Sequence, residues 1–206
     1  VIDSFFFFFM MVVFNAPERI GDPAASACRA ALQGIAAMRN RESRFPVRVG
    51  LHVGECLIGN VGTSKRFAYT AIGDSVNLAS RLEGINKSYG TQIIASSALK
   101  EAAGEAEFLW RYLDRVAVVG RASPLDIYEL IGFRTDASGE TRRLAESYSA
   151  AFEAFLRRDF HGAAKQLSHP FHADDKPSQL LHARIARESS AAPESAWEGI
   201  NRITEK

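Results

Sequence analysis

Apolar and polar positions alternate with a period of two from Val47 to Val53, where valines and Leu51 flank Arg48, Gly50 and His52. That is the pattern of a strand with one buried face. Gly54 and Glu55 predict a turn into a second strand, Cys56 to Val61, and Phe67 to Ile72 predicts a third. The period then lengthens. Val76, Ala79, Leu82 and Ile85 share one helical stripe, Gly73 and Asp74 supply a turn and an N-cap, and the helix ends near Tyr89 and Gly90. Upstream, Asp22 and Pro23 open a helix to Asn40, whose predicted buried stripe is Cys28, Ala31, Leu32, Ile35 and Met38. Downstream come a strand at Gln92 to Ala95, a short helix at Ser97 to Ala103, and a closing hairpin of Tyr112 to Val119 with Leu125 to Ile131.

Near Gly132 the texture changes. Ungrouped polar residues from Arg134 to Glu140 give way to helical periods: Leu144, Tyr148, Phe152 and Phe155, then Phe160, Ala164 and Leu167, with a third helix over Pro177 to Ser189. A division into 1–132 and 133–206 fits this change. At the other end, the apolar run Phe5 to Phe14 is half of the roughly 20 residues that a bilayer crossing needs. It also lacks the basic flank and cleavage site of a signal peptide, so it reads as a buried strand.

Composition narrows the function classes. The chain has 206 residues, 47% of them apolar, which is enough for a proper core. A net charge of +1 argues against nucleic acid or an anionic membrane surface as the main partner. Cys28 and Cys56 make no metal spacing and suit reduced thiols in a cytoplasm. His161, His169, His172 and His182 lack helix-face metal spacing, and Gly59 with Gly62 lacks the G-K-[ST] of a phosphate loop. His52 reads as a strand histidine and Lys65 with Arg66 as a solvated turn. Asn77 and Arg81 carry more chemistry, being four apart on one helical face. An amide and a guanidinium so placed suit orienting a sugar edge and neutralising a phosphate, although the same spacing also describes a solvated face.

The run GLHVGECLIGNVGTSKRFAYTAIGDSVNLASRLEGIN resembles the signature of the class III nucleotide cyclases, and the likeness extends from Val1 to about Ile131. The resemblance implies an α/β (α+β), ferredoxin-like sheet with helices on one side, active as a homodimer or heterodimer with each site shared between two subunits. It implies ATP or GTP as substrate, a cyclic monophosphate and pyrophosphate as products, and Mg2+ or Mn2+ held by two aspartates. Beyond it, FEAFLRRDFHGAAKQL resembles a tetratricopeptide-like helical hairpin. The final WEGINRITEK resembles the tail of bacterial cyclases that carry a sensor and membrane helices upstream, which implies a cytoplasmic catalytic part of a parent that is itself membrane-attached.

Carried over residue by residue, the resemblance makes Asn77 and Arg81 the transition-state pair and Thr70 a base-reading residue of adenylate cyclase type. One metal aspartate belongs upstream of Val1. The second belongs to a hairpin of the type K-F-I-G-D-A-V-M-A-V-F, in which Phe8 stands at the aspartate, Phe7 at the glycine and Ser4 at the adenine-contacting lysine. A phenyl ring has no lone pair for a cation. In the last hairpin Val119 replaces the triphosphate lysine of V-K-G-R, with Arg121 two residues on as the remaining cation. The expectation is an adenylate cyclase domain impaired as it stands, or a pseudo-cyclase that dimerises and holds nucleotide. Between these lies a half-site that lends Asn77 and Arg81 to a metal-bearing partner.

Overall fold

The computed structural model describes residues 2–6, 9–40, 47–63, 66–118, 123–190 and 197–202. The first apolar run is not one buried strand. It forms an antiparallel hairpin of β1 (Ile2–Phe6) and β2 (Phe9–Val12), set apart from the main sheet, with Met10 and Val12 exposed. An unbroken apolar run carries no alternation to single out one buried face, so periodicity could not reveal the fold-back.

Helix α1 (Pro23–Asn40) starts as expected, with the Asp22 carboxylate accepting from the Ala25 N–H at 3.3 Å. Cys28 and Ile35 are buried, whereas Met38 near the end of the stripe is exposed. β3 is only Val49–Leu51, and it pairs in parallel with β6 (Ile93–Ser96) rather than folding back at Gly54 and Glu55. β4 (Leu57–Thr63) and β5 (Arg66–Ile72) pair with each other in a separate ribbon. The segment between β3 and β4 is drawn to helix α2 (Asp74–Tyr89) instead, where Ser75 Oγ donates to the Glu55 carbonyl at 2.8 Å.

The main sheet has the order β3-β6-β8-β7-β9, with β7 (Phe108–Ala117) and β8 (Leu125–Phe133) forming the closing hairpin. β9 (Asn201–Arg202) adds in parallel to the outer edge of β7. β6 is buried on both faces, and its side chains divide between two clusters. Ile93 and Ala95 pack with Cys28 of α1 and with Leu99 of α3 (Ser97–Ala103). Ile94 packs with Leu78 and Leu82 of α2. Successive strand residues point to opposite faces, so helices cover both sides of the sheet rather than one. The mixed α+β class stands; the one-sided layering does not.

The helices after residue 132 join the second cluster. Tyr148, Phe152 and Phe155 of α4 (Gly139–Leu156) lie against Leu113 and Ile127 of the sheet, and the Tyr148 hydroxyl donates to the Leu113 carbonyl at 2.7 Å. Arg158, at φ 63, turns the chain into α5 (Phe160–Gln166), capped by Asp159. Then α6 (Lys176–Ser190) returns along the bundle. Arg111 of β7 bridges to this layer: one guanidinium nitrogen meets both Asp175 oxygens at 2.8 Å, while Glu129 of β8 takes the other side.

His172, in the turn before α6, joins Ser147 of α4 at 3.0 Å and Ser178 of α6 at 2.7 Å. Ser178 donates its hydroxyl proton to Asp175, so His172 Nδ1 donates to Ser178, and Nε2 of the neutral ring shares the Ser147 proton with the Gln166 carbonyl. Burial holds this imidazole below the ordinary histidine range, with Asp175 opposing and Arg111 and His169 assisting. The unfolded chain therefore binds the proton first as pH falls. Stability should drop below pH about 6.5, with a slope up to about 1.4 kcal/mol per pH unit from this group. Denaturant midpoints between pH 7.5 and 5 check this, and His172→Gln should flatten the slope.

Candidate active site

Thr70 sits near the end of β5, half-buried and opposite Gly59 of β4. After Ala71 and Ile72 the chain turns into α2, and Gly73 makes the bend at φ 148, a conformation that a side chain would strain. Gly73, not Asp74, is the N-cap: its carbonyl accepts from the Val76 N–H at 3.1 Å and the Asn77 N–H at 3.3 Å. Asp74 is the first helical residue, where its charge suits the positive end of the helix dipole.

Asn77 and Arg81 are both exposed, one turn apart on α2. Their direction follows from the opposite face. Leu78, Leu82, Ile85 and Tyr89 are buried, while Val76 and Ala79 of the expected stripe are only half-buried. The shift comes from β3. A Cβ on Gly50 would land on the Ala79 carbonyl and the Glu83 backbone nitrogen, so the helix backbone rests directly on the strand. Asn86, fully buried, fixes the contact further along: its Nδ2 donates to the Val49 carbonyl at 3.0 Å, and Thr91 Oγ1 donates to its Oδ1 at 2.8 Å. Arg48 pairs with Glu83 at 2.9 Å on the flank.

The connection from β5 to α2 thus carries Thr70, Asn77 and Arg81 on one continuous, anchored piece of backbone. Phe7, Phe8, Val119 and Arg121 lie outside the described residues, and of Ser4 only the backbone in β1 is described. His52 lies just past β3 rather than within it, its Nδ1 2.7 Å from Ser96 Oγ, the cap of α3. Among the described residues no group of three His, Cys, Asp or Glu side chains could hold a metal ion. The position that the resemblance gives to a metal aspartate, Phe8, lies outside these residues, and a phenyl side chain offers a cation no lone pair. Sequence reasoning also missed Asn86, although a polar residue four after Leu82 in an apolar stripe was a legible signal of a buried anchor.

The family model for the adenylate and guanylate cyclase catalytic domain matches residues 9–132, more than half of the chain. Adenylate cyclase 1 of Rhizobium meliloti is 38% identical over 131 residues, which is 60% of this chain and 20% of that protein. The terminal-differentiation specific adenylate cyclase of Dictyostelium discoideum is 32% identical over 195 residues, 89% of this chain and 9% of that protein. The chain thus spans a fifth or less of these two relatives. Among solved structures, the guanylyl cyclase Cya2 superposes with a TM-score of 0.57 at 30% identity, covering 67% of this chain and 73% of that one. The adenylyl cyclase CyaB of P. aeruginosa superposes at 0.55 and 29% identity, covering 66% and 74%.

Proposed function

Since the chain belongs to the adenylate and guanylate cyclase catalytic domain family, we propose that it serves as one protomer of a dimeric adenylate cyclase in the cytoplasm, contributing the base-reading and transition-state half of a shared site. The observation that carries this reading is the pairing of Asn77 and Arg81, exposed on a helix whose other face is locked into the core. In ATP cyclisation a bond forms from the ribose 3′-oxygen to the α-phosphorus, and the bond to the pyrophosphate oxygen breaks. Charge builds on the α-phosphate oxygens, and a guanidinium poised beside them stabilises that state more than the ground state. Arg81 has this role, Asn77 orients the ribose, and Thr70 meets the adenine edge. Arg121 adds charge near the triphosphate where Val119 has replaced a lysine.

Cyclase domains of this family use divalent cations, and with Phe8 at the expected aspartate position this chain is read as short of a ligand for them. In this reading they come from the partner protomer, which is a second polypeptide with intact aspartates. In this reading residues 1–132 are the cyclase part and 133–206 an appended, mainly helical layer whose end returns to the sheet edge as β9. No helix among the described residues is long and apolar enough to cross a membrane.

The purified chain alone, with ATP and either Mg2+ or Mn2+, should make no cyclic AMP, and sustained production above a buffer control would overturn the half-site reading. Base preference should lean to adenine through the Thr70 hydroxyl. Displacement of a fluorescent ATP analogue should need more GTP than ATP; equal potency counts against the role of Thr70. A second reading, a pseudo-cyclase that dimerises and holds nucleotide without turnover, is favoured by Phe8 and Val119. It predicts binding of the analogue with no rescue of any partner.

A further inference from the structure

Three elements converge on a buried carboxylate carried by a fourth. Asp114 of β7 is 1% exposed. Arg184 of α6 donates through one nitrogen to both of its oxygens, at 2.8 and 2.7 Å. Asn201 of β9 donates through Nδ2 at 3.0 Å, and the hydroxyl of Tyr89, the last residue of α2, donates to Oδ2. Burial and then the Asp114 charge push the Tyr89 phenol up, which keeps it a donor. Arg184 also donates to the Gly199 carbonyl at 3.0 Å, tying down the segment that carries Asn201.

A buried carboxylate persists only when it is paired and hydrogen-bonded, so Arg184 is the condition for Asp114 to hold Tyr89. The consequence reaches the other end of the same helix. Asn77 lies twelve residues before Tyr89, about 18 Å at the ~1.5 Å rise of an α-helix. A helix of this length moves as a rod. Gly50 and Asn86 seat its middle on β3, and the Asp114 cluster fixes its far end.

We propose that Asp114 and Arg184 are positioning residues for the cyclase site: the tail, through Arg184, sets the lie of α2 and with it the placement of Asn77 and Arg81. This rests on the reading of Asn77 and Arg81 as site residues. Neither Asp114 nor Arg184 touches substrate. Both act through Tyr89, and a small displacement of charge-stabilising groups lowers turnover far more than it lowers binding.

The test compares Arg184→Leu and Arg184→Lys with the unsubstituted chain, each mixed with a cyclase catalytic domain that has its metal aspartates but alanine at its own transition-state asparagine and arginine. Rescued kcat per heterodimer should fall on the order of 10- to 100-fold in Arg184→Leu with KM for ATP little changed, and Arg184→Lys, which keeps the charge without the fork, should recover part of it. Hydrogen exchange on the full chain alone gives a second readout. Arg184→Leu should raise amide exchange along α2 and leave α1 as it was. An unchanged kcat per folded heterodimer, with only the yield of folded protein reduced, overturns the positioning role. If even the unsubstituted chain rescues nothing, the half-site reading falls, and exchange decides alone: faster exchange in α2 upholds the tail's grip on the helix, and unchanged exchange refutes it.

Discussion

Cyclic AMP synthesis should return when this chain is mixed with a catalytic domain that keeps its metal aspartates but carries alanine at its own transition-state asparagine and arginine. On the proposed half-site reading, each protein alone lacks one half of the site. In one of the two sites of the heterodimer, Asn77 and Arg81 face an intact metal half. Removing a positioned charge donor costs on the order of 10² to 10³ in rate, so a rescue of that size is the expected gain. On the same reading, Ser4 and Val119, at positions where the resemblance places lysines, should keep the rescue below full activity. Arg81→Ala in this chain should abolish it, because the guanidinium that meets the developing charge is then absent from both protomers. That substitution lies on the exposed face of α2, so folding and dimerisation should persist. No gain on mixing, with the heterodimer verified by sedimentation, would leave the pseudo-cyclase reading in its place.

The second large effect concerns the core. Phe155 of α4 is fully buried among Phe152, Phe160 and Trp197, with ring centroids 5.9, 5.9 and 5.1 Å away, and the Arg184 guanidinium lies 4.9 Å from its ring centre. Phe155→Ala should cost about 3–5 kcal/mol, the lost transfer energy of the ring plus the cavity it leaves. That is a large part of the roughly 5–15 kcal/mol by which domains are stable. Leu180→Ala, at a side chain 37% exposed on α6, should fall within about 0.5 kcal/mol. The same cluster contains Leu78 and Leu82 of α2, so the loss should appear in one cooperative transition across the whole chain. Two separate transitions, with only the later one moved by Phe155→Ala, would mean that the helical layer folds independently of the cyclase sheet.

Much of the candidate site is legible locally. The bend at Gly73, the helix to Tyr89 with its left-handed Gly90, and the four-residue spacing of Asn77 and Arg81 all follow from short-range geometry. The buried stripe is legible only in part. Periodicity alone favours Val76 and Ala79, but the close backbone approach at Gly50 turns Leu78 inward instead. Asp74 reads as a cap because aspartate at a helix start is locally the better capping residue, whereas the Gly73 bend takes that position in the fold.

By itself the sequence determined the order and type of nearly every element, the match to the cyclase family, and the shared face of Asn77 and Arg81 on α2, because all of these depend on near neighbours or on one continuous string. Strand partners were a different matter. β3 chose β6 over β4, and the sheet took helices on both faces, because pairing depends on which apolar surfaces are available to cover it after collapse. The union of tail and sheet was likewise decided in three dimensions. Arg111 meets Asp175 across 64 residues of chain, and Asp114 meets Arg184 across 70. Such pairs leave no periodic trace in the sequence, and only burial makes each charge depend on the other.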